Sequence, residues 1–398
     1  MKQLFLCHYS GDAQEVYQLA QELRLHGILP WVDKQGGFLI GDSAPESARK
    51  AIKDDCFGLL LYATPNVFDR PFIRKVEINE AIQVYEGNKN FILIAIPRNL
   101  DFSVLSKKSI EAFGIDLSQF HTLTVNGSGE LDDRELAPQF VEISRMVLRQ
   151  QIYHHLTRQS NNKISFQFST RELLPPGDND VLLIDATSLF SDKAKLSSQF
   201  NWERVSTGLL DVKVALSEIC GRPRIQIHGS KHLTSAYLLG RIFSRSSGFN
   251  LEIQQRETYW CTDYSPNGQN PLIVNEIDGS AMSNQLFVEI SITGKDVSES
   301  VRNFIRTTSQ MPHRFVKFSL QEENKVVDNS LGVSIAMQIR ETLAKIIGHY
   351  PISEIHIFSA VPQGLAVLIG HNLNALPPVQ LYEFDGHNYI PSYKILDI

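Results

Sequence analysis

Residues 225–243, IQIHGSKHLTSAYLLGRIF, followed by 249–260, FNLEIQQRETYW, have an ungapped counterpart later in the chain. It is 355–373, IHIFSAVPQGLAVLIGHNL, followed by 379–390, VQLYEFDGHNYI. One fixed offset pairs Ile225 with Ile355, Ile227 with Ile357, Ala236 with Ala366, Leu238 with Leu368, Gly240 with Gly370, Leu251 with Leu381 and Tyr259 with Tyr389. Each copy reads as strand, small-residue loop, helix, strand. A supersecondary unit that recurs in one chain predicts two related lobes. Two open α/β lobes facing each other predict a pseudo-two-fold pocket, walled by the loops at the carboxyl ends of the strands.

Outward from the repeat, VLLIDATSLF (181–190) begins the C-terminal domain, and WERVSTGLLDVKVALSEIC (202–220) forms a helix before the first copy. LFVEISITGKD, HRFVKFSL and the amphipathic NSLGVSIAMQIRETLAKIIG lead into the second copy. TRELLPPGDNDV, rich in Pro and Gly, reads as a linker. In the N-terminal part, the short apolar runs LFLCHYS, ILPWVD, FGLLLYA and FILIAIP alternate with helical patterns, which predicts a parallel, doubly wound sheet. Val16, Leu19, Ala20 and Leu23 share one helix face, which Gly27 closes. The expected domains are therefore residues 1–150, a linker helix and loop over 151–178, and a domain over 179–398 with lobes at about 179–275 and 284–398.

The chain has 398 residues, 42% hydrophobic and 21% charged, with a net charge of −6. That balance fits a globular protein and argues against one that coats long nucleic acid. The first residues do not read as a signal peptide, so none is expected, and no apolar run reaches the roughly 18 residues of a membrane span. Cys7, Cys56, Cys220 and Cys261 show no CxxC spacing and read as reduced packing residues of a cytoplasmic protein. No His/Cys/Asp cluster has metal-ligand spacing, so neither a metal nor another cofactor is expected.

The N-terminal residues Phe5 to Ser10 with Asp12, Trp31-Val32-Asp33, Gly41-Asp42, Ala51-Ile52, Leu59 to Thr64 and Phe72 to Glu77 together resemble a TIR domain. The resemblance implies a flavodoxin-like fold and one of two roles, an association module or an NAD⁺-cleaving enzyme. It places the catalytic glutamate at Glu77, with Glu80 one turn along as the alternative. Substrate-binding residues would be Tyr9, Ser10, Trp31, Phe72 and Ile73. Ile73 stands where the enzymatic members carry an aromatic, and Phe72 is the nearest one. A carboxylate suits this chemistry, because nicotinamide leaves NAD⁺ through an oxocarbenium-like transition state whose charge it stabilises.

Residues from about 165 onward resemble a SAVED domain, two CARF-like Rossmann-type lobes in tandem. The resemblance rests on His228-Gly229-Ser230-Lys231, Leu239-Gly240, Tyr259-Trp260, Thr293-Gly294-Lys295 and Phe358-Ser359-Ala360-Val361-Pro362 ahead of Leu365-Ala366. It implies binding of a cyclic oligonucleotide, with cyclic tri-adenylate the expected ring. Gly229, Ser230, Lys231, Thr293, Gly294 and Lys295 would cradle phosphates at helix starts. Trp260 and Phe358 would stack on bases beside Ser359 and Ala360. Together the two resemblances imply a TIR-SAVED effector of cyclic-oligonucleotide-based antiphage signalling (CBASS). In such a protein ligand binding drives self-association, TIR sites form between copies around the GGFLIGDS loop, and NAD⁺ hydrolysis stops the infected cell. A ligand-gated TIR scaffold without catalysis is the alternative.

Overall fold

A computed structural model describes residues 2–32, 43–120, 123–126, 133–156, 163–177, 180–266, 270–293, 296–322 and 327–396. It divides into two units, residues 1–160 with 177–184, and residues 161–176 with 185–398.

The first unit carries a four-stranded parallel sheet in the order β2-β1-β3-β4, from β1 (Gln3–Cys7), β2 (Pro30–Trp31), β3 (Cys56–Ala63) and β4 (Ile92–Pro97). Its helices are α1 (Ala13–Leu25), α2 (Ala44–Lys50), α3 (Asn79–Gly87), α4 (Phe102–Phe113) and α5 (Asp133–Leu156). The strands are almost wholly buried, as expected of a parallel sheet covered on both faces. Phe5, Cys7, Leu59, Leu61 and Ala63 belong to one core with Ile52, Ile73, Val76 and Ile78. On α1 the buried residues include Val16, Leu19, Ala20 and Leu23, and Gly27 follows its end with φ +83°. The alternation predicted from sequence thus becomes the observed layering.

Two π-helical turns, Ala51–Asp55 and Ile73–Ile78, precede β3 and α3 respectively. A π turn inserts a residue and widens the helical circuit, a feature frequent at functional sites. Over Ile73–Ile78 it lets Ile73, Val76, Glu77 and Ile78 all be buried.

The second unit contains β5 (Lys163–Ser169), α6 (Gln199–Cys220), β7 (Arg224–His228), α7 (Leu233–Ile242), β8 (Asn250–Gln255) and β9 (Thr258–Cys261). Strand β6 (Asp180–Asp185) crosses the boundary between the residues of the two units. Strands β5, β7 and β8 pair in parallel and β9 closes antiparallel on β8. The second lobe is a six-stranded sheet in the order β10-β12-β11-β13-β14-β15. It is built from β10 (Leu272–Asp278), β11 (Gln285–Ser291), β12 (Arg314–Leu320), β13 (Glu354–Ala360), β14 (Val379–Phe384) and β15 (Tyr389–Ile395). Helices α8 (Ser298–Thr308), α9 (Asn329–His349) and α10 (Gln363–Asn372) complete it.

The sequence repeat is a structural repeat. Helices α7 and α10 begin and end at positions related by the offset, and they pack against each other. Their paired glycines mark the crossing. A Cβ on Gly240 would stand 2.1 Å from the Val367 carbonyl oxygen, and one on Gly370 would stand 2.2 Å from that of Tyr237. Only glycine permits backbones this close.

Two segments lie differently from the boundaries read in the sequence. Lys163–Ser169, inside the expected linker, is a strand of the first lobe, because Ile164, Phe166 and Phe168 alternate into its core at 0–1% exposure. Leu272–Asp278, which the first lobe was expected to include in part, pairs instead with β12 of the second.

Candidate functional site

In the first unit the strand ends converge on the loop after β1. Tyr9 is half-buried, with the Arg70 guanidinium 4.1 Å above its ring, and Ser10 is exposed at the start of a short 3₁₀ turn. Glu77 comes off the π turn and is 7% exposed. The Cys7 thiol, at the end of β1, donates a hydrogen bond of 2.8 Å to its Oε2. The chain thus places a buried carboxylate beside the carboxyl end of a central strand, where parallel α/β sheets bind ligands. Nothing in the sequence had singled out Cys7 as its partner. Glu80 lies farther out, 3.9 Å from Arg49.

The surroundings of that loop are held by charge. Thr64 donates to Asp12 at 2.7 Å, and Arg98 grips Glu15 through Nε at 3.0 Å and a terminal nitrogen at 3.1 Å. The Tyr62 hydroxyl also donates to Glu15. Burial raises the Glu15 pKa, but the hydrogen bonds from Arg98 and Tyr62 and the Arg98 charge outweigh it, so the carboxyl lies below its usual range. Desolvation dominates at Asp12 and raises its pKa.

Two expected substrate contacts are corrected. Trp31 is 8% exposed and stacks on Phe5 with centroids 4.3 Å apart, so its ring is core. Ile73 is 5% exposed within the same core, whereas Phe72 stands open at 36%. Large apolar side chains at strand ends and on an inward-facing turn gain more from burial than from solvent contact. Residues 36–42 of the GGFLIGDS loop, and Asp33, Gly41 and Asp42 with them, lie outside the described residues.

In the second unit Gly229 adopts φ +107°, and a Cβ there would stand 2.4 Å from the Phe168 carbonyl oxygen. The Ser230 carbonyl accepts from the Thr170 and Arg171 amides. Lys231 was expected to offer its charge to phosphate. It is 1% exposed instead, its ammonium donates to the Gly229 carbonyl at 2.7 Å, and burial pushes its pKa down to about 7. Its four-carbon stem is buried under the loop it was expected to arm.

The base-stacking assignments are corrected likewise. Phe358 is fully buried in a cluster with Phe287, Phe304, Tyr382 and Tyr389, stacked on Tyr382 at 4.2 Å. Trp260 is 4% exposed, and its ring packs over Gly332 of α9 and Gly364 of α10. Ser359 is buried, and its carbonyl accepts from the Tyr389 hydroxyl. Thr293 is exposed, and it hydrogen-bonds the Ala360 carbonyl through its hydroxyl and its amide. Gly294 and Lys295 lie outside the described residues.

What joins the lobes was missed in the sequence. The Thr234 amide, at the start of α7, donates at 2.6 Å to Glu383 of β14. Its counterpart under the repeat, the Gly364 amide at the start of α10, donates at 2.8 Å to Gln255 at the end of β8. Each helix N-terminus is thus capped by a side chain of the opposite lobe. Burial raises the Glu383 pKa against the pull of its Thr234 hydrogen bonds. Gln363 adds a bond to the Lys231 carbonyl at 2.5 Å. The signal was available, since the offset maps Thr234 onto Gly364, but no local pattern says which side chains reach across.

Among the described residues no group of three or more His, Cys, Asp or Glu could hold a metal ion, and no helix is long and apolar enough to cross a membrane. A cavity of about 460 Å³ opens at the amino ends of β1 and β3, lined by residues such as Lys2, Lys53, Asp54 and Gln151 and by none of the expected site residues.

Comparison with known proteins agrees with the fold. The TIR domain family matches residues 4–124, and the SMODS-associated and fused to various effectors sensor domain, SAVED, matches residues 210–395. A CD-NTase-associated protein 4 of Moraxella osloensis is 23% identical over 209 residues, 51% of this chain and 43% of the relative. One of Acinetobacter sp. is 22% identical over 210 residues, again 51% of this chain and 43% of the relative. The chain thus spans less than half the length of these relatives. The solved Acinetobacter baumannii Cap4 SAVED/CARF-domain containing receptor with the cyclic trinucleotide 3′3′3′-cAAA superposes with a TM-score of 0.52 at 14% identity, covering 96% of this chain and 97% of that one. The same receptor with 2′3′3′-cAAA gives 0.50 at 15% identity, over 85% and 79%.

Proposed function

We propose that this chain, a TIR domain joined to a SAVED domain, is an NAD⁺ glycohydrolase switched on by a cyclic oligonucleotide in antiphage signalling. The observation that carries the reading is Glu77. It is a buried carboxylate at the carboxyl end of β1, held by a neutral thiol donor and raised there by a π turn.

Cleavage of the nicotinamide–ribose bond builds positive charge on the ribose ring. A carboxylate fixed beside it lowers the barrier by electrostatic stabilisation, and nicotinamide departs as a neutral leaving group without a strong acid. We assign substrate contact to Tyr9 and Ser10, which follow β1, and to the exposed Phe72, which directly precedes the π turn carrying Glu77. Water then completes hydrolysis. The second unit binds the activator between lobes related by the α7–α10 crossing. A ring with repeated phosphates suits that pseudo-symmetry, and cyclic tri-adenylate is the first probe because the superposed receptors hold cyclic trinucleotides.

A ligand activates only by binding one state better than another. Self-association is the state proposed, with TIR sites completed between copies. With Lys231, Trp260 and Phe358 buried and the starts of α7 and α10 capped by Glu383 and Gln255, the proposed ligand contacts are the Ser230 and Thr293 loops. A non-catalytic scaffold is the second reading, favoured by Ile73 in the core where an aromatic would line the nicotinamide site. The deciding experiment incubates the protein with NAD⁺, with and without cyclic tri-adenylate, and follows free nicotinamide. Ligand-dependent release that Glu77→Gln abolishes supports hydrolysis, whereas assembly without release supports the scaffold.

A further inference from the structure

At one edge of the six-stranded sheet, β15 packs against α6. At the other, among the described residues, β10 pairs with β12 alone, in the register Leu272↔Leu320 through Asp278↔Arg314. The hydrogen-bond parity of β10 follows from its ends. Gln321 donates to the Pro271 carbonyl at 3.0 Å and Gly279 to the His313 carbonyl at 2.9 Å. In an antiparallel ladder bonded pairs recur at every second residue. The odd positions 271, 273, 275, 277 and 279 therefore bond to β12, and the backbones of Leu272, Val274, Glu276 and Asp278 face away from it. Leu272 agrees, since both its amide and its carbonyl are bonded at 3.0 and 3.1 Å by the side chain of Gln338. Among the described residues, Val274, Glu276 and Asp278 then present an open row of donors and acceptors. Beside that row stand Ile273, 44% exposed, and Ile277, 61% exposed, two positions apart from Asn275 on one face.

We propose that β10 is an isologous docking edge, which pairs antiparallel with β10 of a second copy of this chain about a two-fold axis through Asn275. Three features select this partner and register. Even positions face even positions, so Val274 and Glu276 exchange backbone hydrogen bonds with Glu276 and Val274 of the second copy. Ile273 lies opposite Ile277 in non-hydrogen-bonded pairs, where side chains approach closest, and each copy contributes to both pairs. Charge decides against the neighbouring register, because an axis through Glu276 would set that carboxylate directly against its own copy, a destabilising like-charge pair. With the axis at Asn275, Glu276 faces Val274 and Asp278 faces Leu272. Arg314 already bonds Glu276 at 3.0 Å and Asp278 at 2.5 Å, which holds both carboxylates back toward β12. A pair of seven-residue strands buries less than the roughly 1,200 Å² of a stable interface. The contact is therefore weak, forms transiently between unliganded copies at high protein concentration, and is captured by covalent trapping.

Disulfide trapping tests this without NAD⁺ or ligand, so it is separate from the proposed activity. Residues on the axis would have Cα atoms about 4.5 Å apart, within disulfide range. Full-length Asn275→Cys under mild oxidation should accumulate a covalent dimer, faster as protein concentration rises. Ile277→Cys, displaced from its own copy by four residues along the strands, should dimerise no more than the parent chain. Adding Val274→Pro to Asn275→Cys removes an outward amide without breaking a β12 bond, and should cut the dimer yield severalfold. An Asn275→Cys protein that stays monomeric at high concentration overturns the proposal. Equal dimerisation by Ile277→Cys, or a yield untouched by Val274→Pro, overturns it as well.

Discussion

Alanine at Gly370 is the sharpest test of how the two lobes are held. In an ordinary helix interior this change stabilises by up to about 1 kcal/mol, through helix propensity. Here the new methyl would stand 2.2 Å from the Tyr237 carbonyl oxygen and about 3 Å from its carbonyl and α carbons. These are backbone atoms of a helix whose flanking residues, Leu238 and Leu239, are fully buried. The clash cannot be relieved by a rotamer, so α7 and α10 must part by about 1 Å, at an overpacking cost of about 1–3 kcal/mol or more. The strain exceeds the propensity gain, and net destabilisation of about 2 kcal/mol is expected, some 30-fold in the folding equilibrium. Gly240→Ala should behave alike, because its methyl would meet the Val367 oxygen at 2.1 Å. The double variant should lose less than the sum, since both changes force the same separation. Gly348→Ala on α9, with nothing within 4 Å of the added methyl, is the control and should be neutral or stabilising. Urea titration followed by tryptophan fluorescence suits the measurement, because Trp260 packs on α9 and α10. If Gly370→Ala matches or exceeds the parent in stability while Gly348→Ala behaves as stated, the tight crossing is not what joins the lobes.

Glu77→Gln should lower ligand-stimulated nicotinamide release by at least about 100-fold and leave cyclic tri-adenylate binding unchanged by calorimetry. Near-normal turnover would move the assignment to Glu80 or remove catalysis. Lys231→Met should flatten a pH dependence: the native ammonium has its pKa lowered to about 7 by burial, while the unfolded chain keeps it near the usual lysine value of about 10.4. The unfolded state thus binds more protons between those values, so native stability rises with pH across that window and the variant loses the rise in denaturation series. Arg98→Met should destabilise the first unit by about 2 kcal/mol, because the Glu15 carboxylate loses its charge partner and both Arg98 hydrogen bonds while keeping that from Tyr62. The Glu15 pair stabilises above the unfolded carboxyl pKa and fades as pH falls through the lowered native value, so parent and variant should converge in acid when followed by thermal melting.

The sequence repeat carried most of the fold of the second unit. Its offset relates the observed bounds of α7 and α10 to each other, and it paired Gly240 with Gly370, although that the two glycines mark a helix crossing emerged only from the packing. Periodicity likewise sufficed for α1 and for the buried strands of the first unit, because strands covered on both faces must be apolar throughout. The site was less legible. Trp260, Phe358 and Trp31 were read as contacts for a ligand, yet an aromatic ring at a strand end serves a base or a core equally well. Which it does depends on what packs across from it, here Gly332, Gly364, Tyr382 and Phe5.

Local pattern by itself determined the alternation of elements and the duplication of the lobe, since each is written in residues close along the chain, while the resemblance to TIR domains pointed to Glu77 as the candidate carboxylate. Only the tertiary structure decided that Glu77 meets Cys7, that Glu383 and Gln255 cap helices of the opposite lobe, that Lys231 is buried and that β10 is left with an open edge. Each of these joins residues far apart in sequence, and neither a hydrogen bond nor an unpaired edge has any periodicity to betray it. They follow from which surfaces remain once the apolar faces have been buried, a quantity set by the whole packed unit and by no segment of it.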